Sequence, residues 1–131
     1  SGAGLEREVT AVLDEMNRRG GFSVALICTD DGLLIAASGD HVTSEELAGV
    51  TSLFDDIVVR SERDLGARHV DEVTVLDPGV GRLIVRRLPI GAGRRFFMVV
   101  RAPVRASWRR VTSDACRDVA EALRELTMEA T

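Results

Sequence analysis

The chain has 131 residues, 45% of them hydrophobic, with a formal net charge of −4, which suits one compact domain rather than two. All 17 basic residues are arginine, so lysine chemistry is excluded: no Walker A lysine, no Schiff base and no lysine general base. No apolar run approaches the roughly 20 residues of a spanning helix, and the N-terminus lacks the basic-then-apolar order of a secretion signal, so the expectation is a cytoplasmic protein without membrane insertion.

Residues 1–4, Ser-Gly-Ala-Gly, are small and featureless and read as an expression remnant or a disordered end, leaving 5–131 as the domain. From Leu5 to about Arg19, the residues Leu5, Val9, Val12, Leu13 and Met16 share one helical stripe. Gly20-Gly21 ends that helix. Phe22–Thr29 is almost continuously apolar, as a strand covered on both faces should be. Asp30-Asp31-Gly32 reads as a tight hairpin turn into a second strand, Leu33–Ala37.

Thr43-Ser-Glu-Glu46 has the form of a capping box and opens a helix running to about Leu65, with Gly66 as its stop. Leu47, Val50, Phe54, Ile57, Val58 and Leu65 form its apolar side. At 1.5 Å per residue the helix spans about 33 Å, longer than cover for a small sheet requires, and the excess apolar length suggests a partner. Asp71–Leu76 gives a third strand and Asp77-Pro78-Gly79 a turn. Gly81–Leu88 and Arg94–Arg101 then form a hairpin across Pro89–Gly93, the second strand again doubly apolar. A last helix, about Ala106–Met128, carries Trp108, Val111, Ala115, Val119, Ala122, Leu123 and Leu126 on one face. The order α-β-β-α-β-β-β-α predicts an α+β sandwich.

Candidate chemistry is sparse. Gly79-Val80-Gly81 and Gly91-Ala92-Gly93 lack the third glycine and the following helix of a phosphate cradle, and read as turns. His41 and His69 sit in loops without a metal-ligand set, so no metal and no cofactor are expected. Asp30 with Asp31, and Asp55 with Asp56, are adjacent rather than facing and do not form an acid/base pair. Cys28 and Cys116 are expected to be buried, reduced thiols.

Charge is placed unevenly. Nine arginines (Arg82, Arg86, Arg87, Arg94, Arg95, Arg101, Arg105, Arg109 and Arg110) and no acid lie between Gly79 and Ser113, whereas residues 45–65 hold six acids against two arginines. Arginine stems covering sheet edges explain about half of this, with an acidic partner surface or nucleic acid sharing the remainder. Nucleic acid is disfavoured by the net negative charge, the five aromatic residues and the lack of a recognition motif.

The element order, the hairpin LICTDDGLLIAASG and the segment VTVLDPGVGRLIVRRL resemble the Roadblock/LC7 superfamily, from Leu5 to about Met128. The resemblance implies a five-stranded antiparallel sheet in the order two-one-five-four-three, with the first and last helices on one face and the long helix on the other. It implies a non-enzymatic dimer, with itself or a paralogue, of the kind that regulates small Ras-like GTPases or serves as a dynein-associated light chain. The bacterial branch regulating a polarity GTPase is the nearest analogue. Carried to this chain, the dimer interface falls on Val50, Phe54, Ile57, Val58, Val73 and Val75, with Arg60 and Arg63 as partner-binding candidates, including as arginines entering a GTPase site in trans. The alternative is a dimerisation adaptor in a motility, polarity or signalling complex with no effect on nucleotide turnover. A ligand-binding sensory domain is disfavoured by the few polar groups expected inside.

Overall fold

The computed structural model describes residues 2–90 and 95–129. The turn expected at Gly91-Ala92-Gly93, with Arg94, lies outside the described residues, as does the side chain of Leu126. The elements are α1 (Gly2–Gly20), β1 (Val24–Thr29), β2 (Leu34–Gly39), α2 (Ser44–Asp64), β3 (Glu72–Asp77), β4 (Gly81–Arg87), β5 (Phe96–Ala102) and α3 (Arg109–Glu129). They make one antiparallel sheet in the order β2-β1-β5-β4-β3, the order the resemblance implies.

Local chemistry sets the boundaries. α1 already includes residues 2–4 and ends at Gly21, whose φ of 69° lets the Phe22 amide reach back to the Asn17 carbonyl at 3.1 Å. In the β1–β2 turn, Gly32 at φ 85° completes a three-residue loop, with the Gly32 amide donating to the Thr29 carbonyl and the Thr29 amide to the Leu33 carbonyl. The buried Thr29 hydroxyl accepts from the Leu33 amide and donates to the Asp31 carboxylate, so a polar side chain in an apolar strand is fully used by the turn. Thr43 caps α2, its hydroxyl accepting from the Glu46 amide at 3.1 Å. α3 starts at Arg109, three residues later than its periodicity predicts. A turn closed by the Ala106 amide on the Pro103 carbonyl occupies the preceding segment, and Trp108 stands just ahead of the helix, packed on the core.

Two hydrophobic layers lie on opposite faces of the sheet. On one, α1 and α3 place Val9, Leu13, Met16, Ala115, Val119 and Leu123 over Ala25, Ile27, Ile84, Met98 and Val100. On the other, α2 places Leu47, Phe54 and Val58 over Leu26, Cys28, Val85, Phe97 and Val99. β1 is buried along its whole length and β5 at five of its seven residues, which is why their sequences do not alternate.

Strand spacing explains the unequal cover. Five strands about 4.8 Å apart span roughly 19 Å, and a helix with its side chains is about 10 Å across. Two helices roof that width, whereas one helix roofs about half of it. α2 therefore runs over the middle of its face and leaves a strip uncovered on each side, toward β3 and toward β2.

Candidate interaction surface

The strip beside β3 contains most of the expected interface. Val73 stands opposite Val85, and Val75 opposite Leu83. Directly paired residues share a face, and Val85 belongs to the α2 layer, so Val73 and Val75 point to the α2 side. Val73 is half-buried and Val75 is 44% exposed. Across the strip, Val50, Leu53 and Ile57 follow one another at helical spacing on a flank of α2, with Val50 and Ile57 half-buried and Leu53 44% exposed. Val50 and Leu83 line the same small apolar recess, which places this flank of α2 on the β3 side.

Phe54 and Val58 are located differently. Both are only 3% exposed and belong to the protomer's own interior. The Phe54 ring lies against Phe97 with centroids 4.4 Å apart at an interplanar angle of 57°, a tilted aromatic contact. The apolar arc of α2 is wider than its contact with the sheet, so Phe54 and Val58 take the inward part while Val50, Leu53 and Ile57 form the outer part. Leu53, not picked out in the sequence, could have been found from its spacing of three from Val50 and four from Ile57.

The β3 backbone is open along this strip. The Arg87 amide donates to the Asp71 carbonyl at 2.8 Å, and an antiparallel ladder bonds alternate pairs. Val73, Val75 and Asp77 are thereby turned to β4, and the amides and carbonyls of Thr74 and Leu76 face away from the sheet. Leu76, 48% exposed, extends the apolar surface onto the opposite face.

Arg60 and Arg63 sit on the exposed side of α2, each held within its own helix. Arg60 bonds Asp56 at 3.1 Å and Arg63 bonds Asp64 at 2.9 Å. The hydrogen bonds that Arg63 donates to the Asp64 carboxylate raise the Arg63 pKa above its ordinary value. Such exposed pairs are easily exchanged for others, typically contributing below about 1 kcal/mol.

Part of the arginine-rich stretch is structural. Arg86, on the Ile84 face of β4, donates from Nη1 to the Thr112 hydroxyl at 2.8 Å, the Ser113 hydroxyl at 2.7 Å and the Arg109 carbonyl at 3.2 Å. Glu72, opposite Arg86 in the ladder, lies 3.6 Å from it and makes a two-pronged contact with Arg109. Arg109 also stacks over Trp108, 4.5 Å from its centroid. This network pins the start of α3 to the sheet. Arg95 bridges Asp30 at 3.4 Å and Asp55 at 3.5 Å, tying the first hairpin to α2. Arg87, Arg101, Arg105 and Arg110 form no ion pair among the described residues.

A cleft of about 420 Å³ opens where β4 ends against α3, lined by His69, Asp71, Arg86, Leu88, Ser113 and Cys116 among others. His69 Nε2 is 2.6 Å from the Asp71 carboxylate, on exposed side chains. The Ser113 hydroxyl accepts from Arg86, and burial pushes the Cys116 thiol up to about 11. Neither is an activated nucleophile. Cys28 is pushed up to about 12 by burial. Among the described residues no His, Cys, Asp and Glu group is arranged to hold a metal ion, and no helix is long and apolar enough to cross a membrane.

No family model matches the chain, and no curated protein is significantly similar to it. Its structure is similar to MglB of Myxococcus xanthus, with a TM-score of 0.79 at 16% identity, covering 92% of this chain and 90% of that one. It is also similar to the gliding protein MglB of Thermus thermophilus, with a TM-score of 0.70 at 18% identity over 92% of each chain. A third likeness, to a Roadblock/LC7 domain from Streptomyces avermitilis, has a TM-score of 0.63 at 15% identity, covering 92% of this chain and 96% of that one. Together with the strand order and the placing of the three helices, these likenesses give the chain a Roadblock/LC7-like fold.

Proposed function

We propose that the protein is a cytoplasmic homo- or paralogue dimer that regulates a small Ras-like GTPase by protein contact, without supplying a reaction centre of its own. The observation that carries this reading is the coincidence of an open strand edge with an apolar strip. Thr74 and Leu76 present backbone groups at the margin, while Val50, Leu53, Ile57, Val73 and Val75 present greasy surface beside it. A second copy placed across β3 pairs the edge and packs α2 on its twin, removing both liabilities by one two-fold operation. The Roadblock/LC7-like fold and the likeness to MglB support the GTPase as the further partner. Arg60 and Arg63, exposed on α2, are the residues proposed to meet it.

The test has two parts. Val75→Arg should convert the dimer to monomer while far-ultraviolet circular dichroism is unchanged. A GTPase recovered by co-purification should bind with a preference between its GTP and GDP states, and its turnover should change on addition of the protein. Loss of that change in Arg60→Ala or Arg63→Ala would assign an arginine acting in trans. A dimer that leaves nucleotide turnover untouched would instead establish the adaptor.

A further inference from the structure

The face carrying α1 and α3 has an unfinished corner where β4 begins. Arg82 pairs with Leu76 of β3 on one side and with Ala102 of β5 on the other. Directly paired residues share a face, and Ala102 belongs to the layer beneath α1 and α3, so all three point to that side. Cover falls off along the row: Ala102 is buried, Arg82 half-buried and Leu76 48% exposed. α3 is pinned to these strands at their other end, through Arg86 and Glu72, and the chain reaches it from Ala102 by residues 103–108, which form no helix. Two turns flank the corner. Val80, in the turn ahead of Arg82, is 74% exposed, and Val104, in the turn after Ala102, is 36% exposed.

The corner is positive and lacks a counter-charge. Arg82 Nε is buried without a hydrogen-bond partner, and the guanidinium forms no ion pair among the described residues. Arg105, exposed beside Val104, forms none either. The acids of β3 are engaged elsewhere. Glu72 holds Arg109 and lies against Arg86, while Asp77 alternates to the α2 side and accepts from the Gly79 amide at 2.8 Å. A cation drawn partly out of water and left unpaired is costly, and a carboxylate brought to it offsets that cost through a charge-assisted hydrogen bond.

From this juxtaposition we infer that the β4 corner binds an acidic segment of a partner polypeptide, which sets a carboxylate on Arg82 and Arg105 and apolar side chains on Leu76 and Val104. Charge complementarity selects the sign, and the flanking apolar residues select a peptide over a bare anion. Alternate residues of an extended segment share a face, so an acid with apolar residues two positions away matches a cation with apolar neighbours. Nucleic acid is the poorer occupant. Trp108, the aromatic residue nearest in the chain, is half-buried and carries Arg109 over its ring, which leaves no open platform for a base. An anionic membrane is poorer too, because the chain's net charge of −4 opposes its approach and half-buried Arg82 is recessed behind Val80. The corner faces away from α2, so the inference rests on neither the dimer nor the GTPase.

The probe is a short fluorescein-labelled peptide of alternating glutamate and leucine, followed by anisotropy and by the arginine Nε–H resonances of the full chain. The expected result is saturable, salt-sensitive binding that shifts the Arg82 Nε–H resonance. Arg82→Met keeps an apolar stem and removes the unpaired charge, so it should weaken binding at least tenfold without lowering the thermal midpoint. Arg105→Glu and Val104→Ser should each weaken it several-fold, and an arginine–leucine peptide should not bind. Arg105 is exposed, so Arg105→Glu keeps the test valid if Arg82→Met fails to fold. Val75→Arg, aimed at the dimer, should bind the peptide as the natural chain does. Four outcomes overturn the inference: no binding; binding that ignores Arg105→Glu and leaves the Arg82 resonance in place; tighter binding to single-stranded DNA or to phosphatidylserine vesicles than to the peptide; or a concentration-dependent shift of that resonance without peptide, which would assign the corner to a second copy.

Discussion

On one face of the sheet, α1 and α3 together bury Val9, Leu13, Met16, Val119 and Leu123 at 5% exposure or less. On the other, α2 alone buries Leu47, Phe54 and Val58, and Leu53 and Val75 are each 44% exposed. The faces differ by one helix, and that helix is the difference between a closed interior and a surface with two open flanks. A sheet about 19 Å wide under a single 10 Å helix keeps uncovered flanks within the protomer. The double-covered face is closed within the protomer beneath α1 and α3, and the single-covered face is the one proposed to meet a second copy and a GTPase.

The sharpest way to break this comparison is to truncate one leucine on each face. Leu13→Ala should cost about 2–5 kcal/mol in urea unfolding, because Leu13 is fully buried between helix and sheet. Leu53→Ala should change the stability of the dilute protein by less than about 0.5 kcal/mol and weaken self-association instead. Equal losses of stability would mean that the α2 face is as closed as the other.

A smaller effect tests what holds the closed face together at its margin. Arg86→Ala removes the donor to Thr112, Ser113 and the Arg109 carbonyl, and leaves Glu72 with one fewer cation. Thr112 is fully buried, so the expected loss is about 1–3 kcal/mol by calorimetry. Arg60→Ala and Arg63→Ala, which break exposed pairs on the open face, should each change stability by less than about 1 kcal/mol. A larger loss would give those arginines a structural part.

The thiols give one reading on each face, Cys116 beneath α3 and Cys28 beneath α2. Burial raises both above the ordinary value of 9.0, to about 11 and about 12. The folded protein therefore holds protons that the unfolded chain releases, and stability should fall as pH rises through 9 toward 11–12. Below pH 9 both thiols should react with a thiol reagent only after urea is added. Rapid reaction of Cys28 alone in the native protein would show that α2 lifts from its face.

Much of the fold was legible because its signals are local or periodic. The doubly apolar runs at β1 and β5 marked the central strands, Thr43 marked the start of α2, and Gly21 and Gly32 marked turns only glycine makes easily. The candidate surface was legible only in part. Periodicity gives the apolar arc of α2 but not which portion touches the sheet, so Phe54 and Val58 were grouped with Val50 and Ile57 although the structure turns them inward. Arg86 read as one more arginine along a sheet edge, yet its place two residues after Ile84 already set its face. Its partner Glu72 depends on the β3–β4 register, which a single strand's sequence does not contain.

The most direct measurement is the molar mass by light scattering at micromolar concentration, for the natural chain and for Val75→Arg. The expected result is twice the mass of one chain for the first and a folded single chain for the second. A natural chain that scatters as a monomer would contradict the assignment of the β3 margin and the α2 flank to a second subunit.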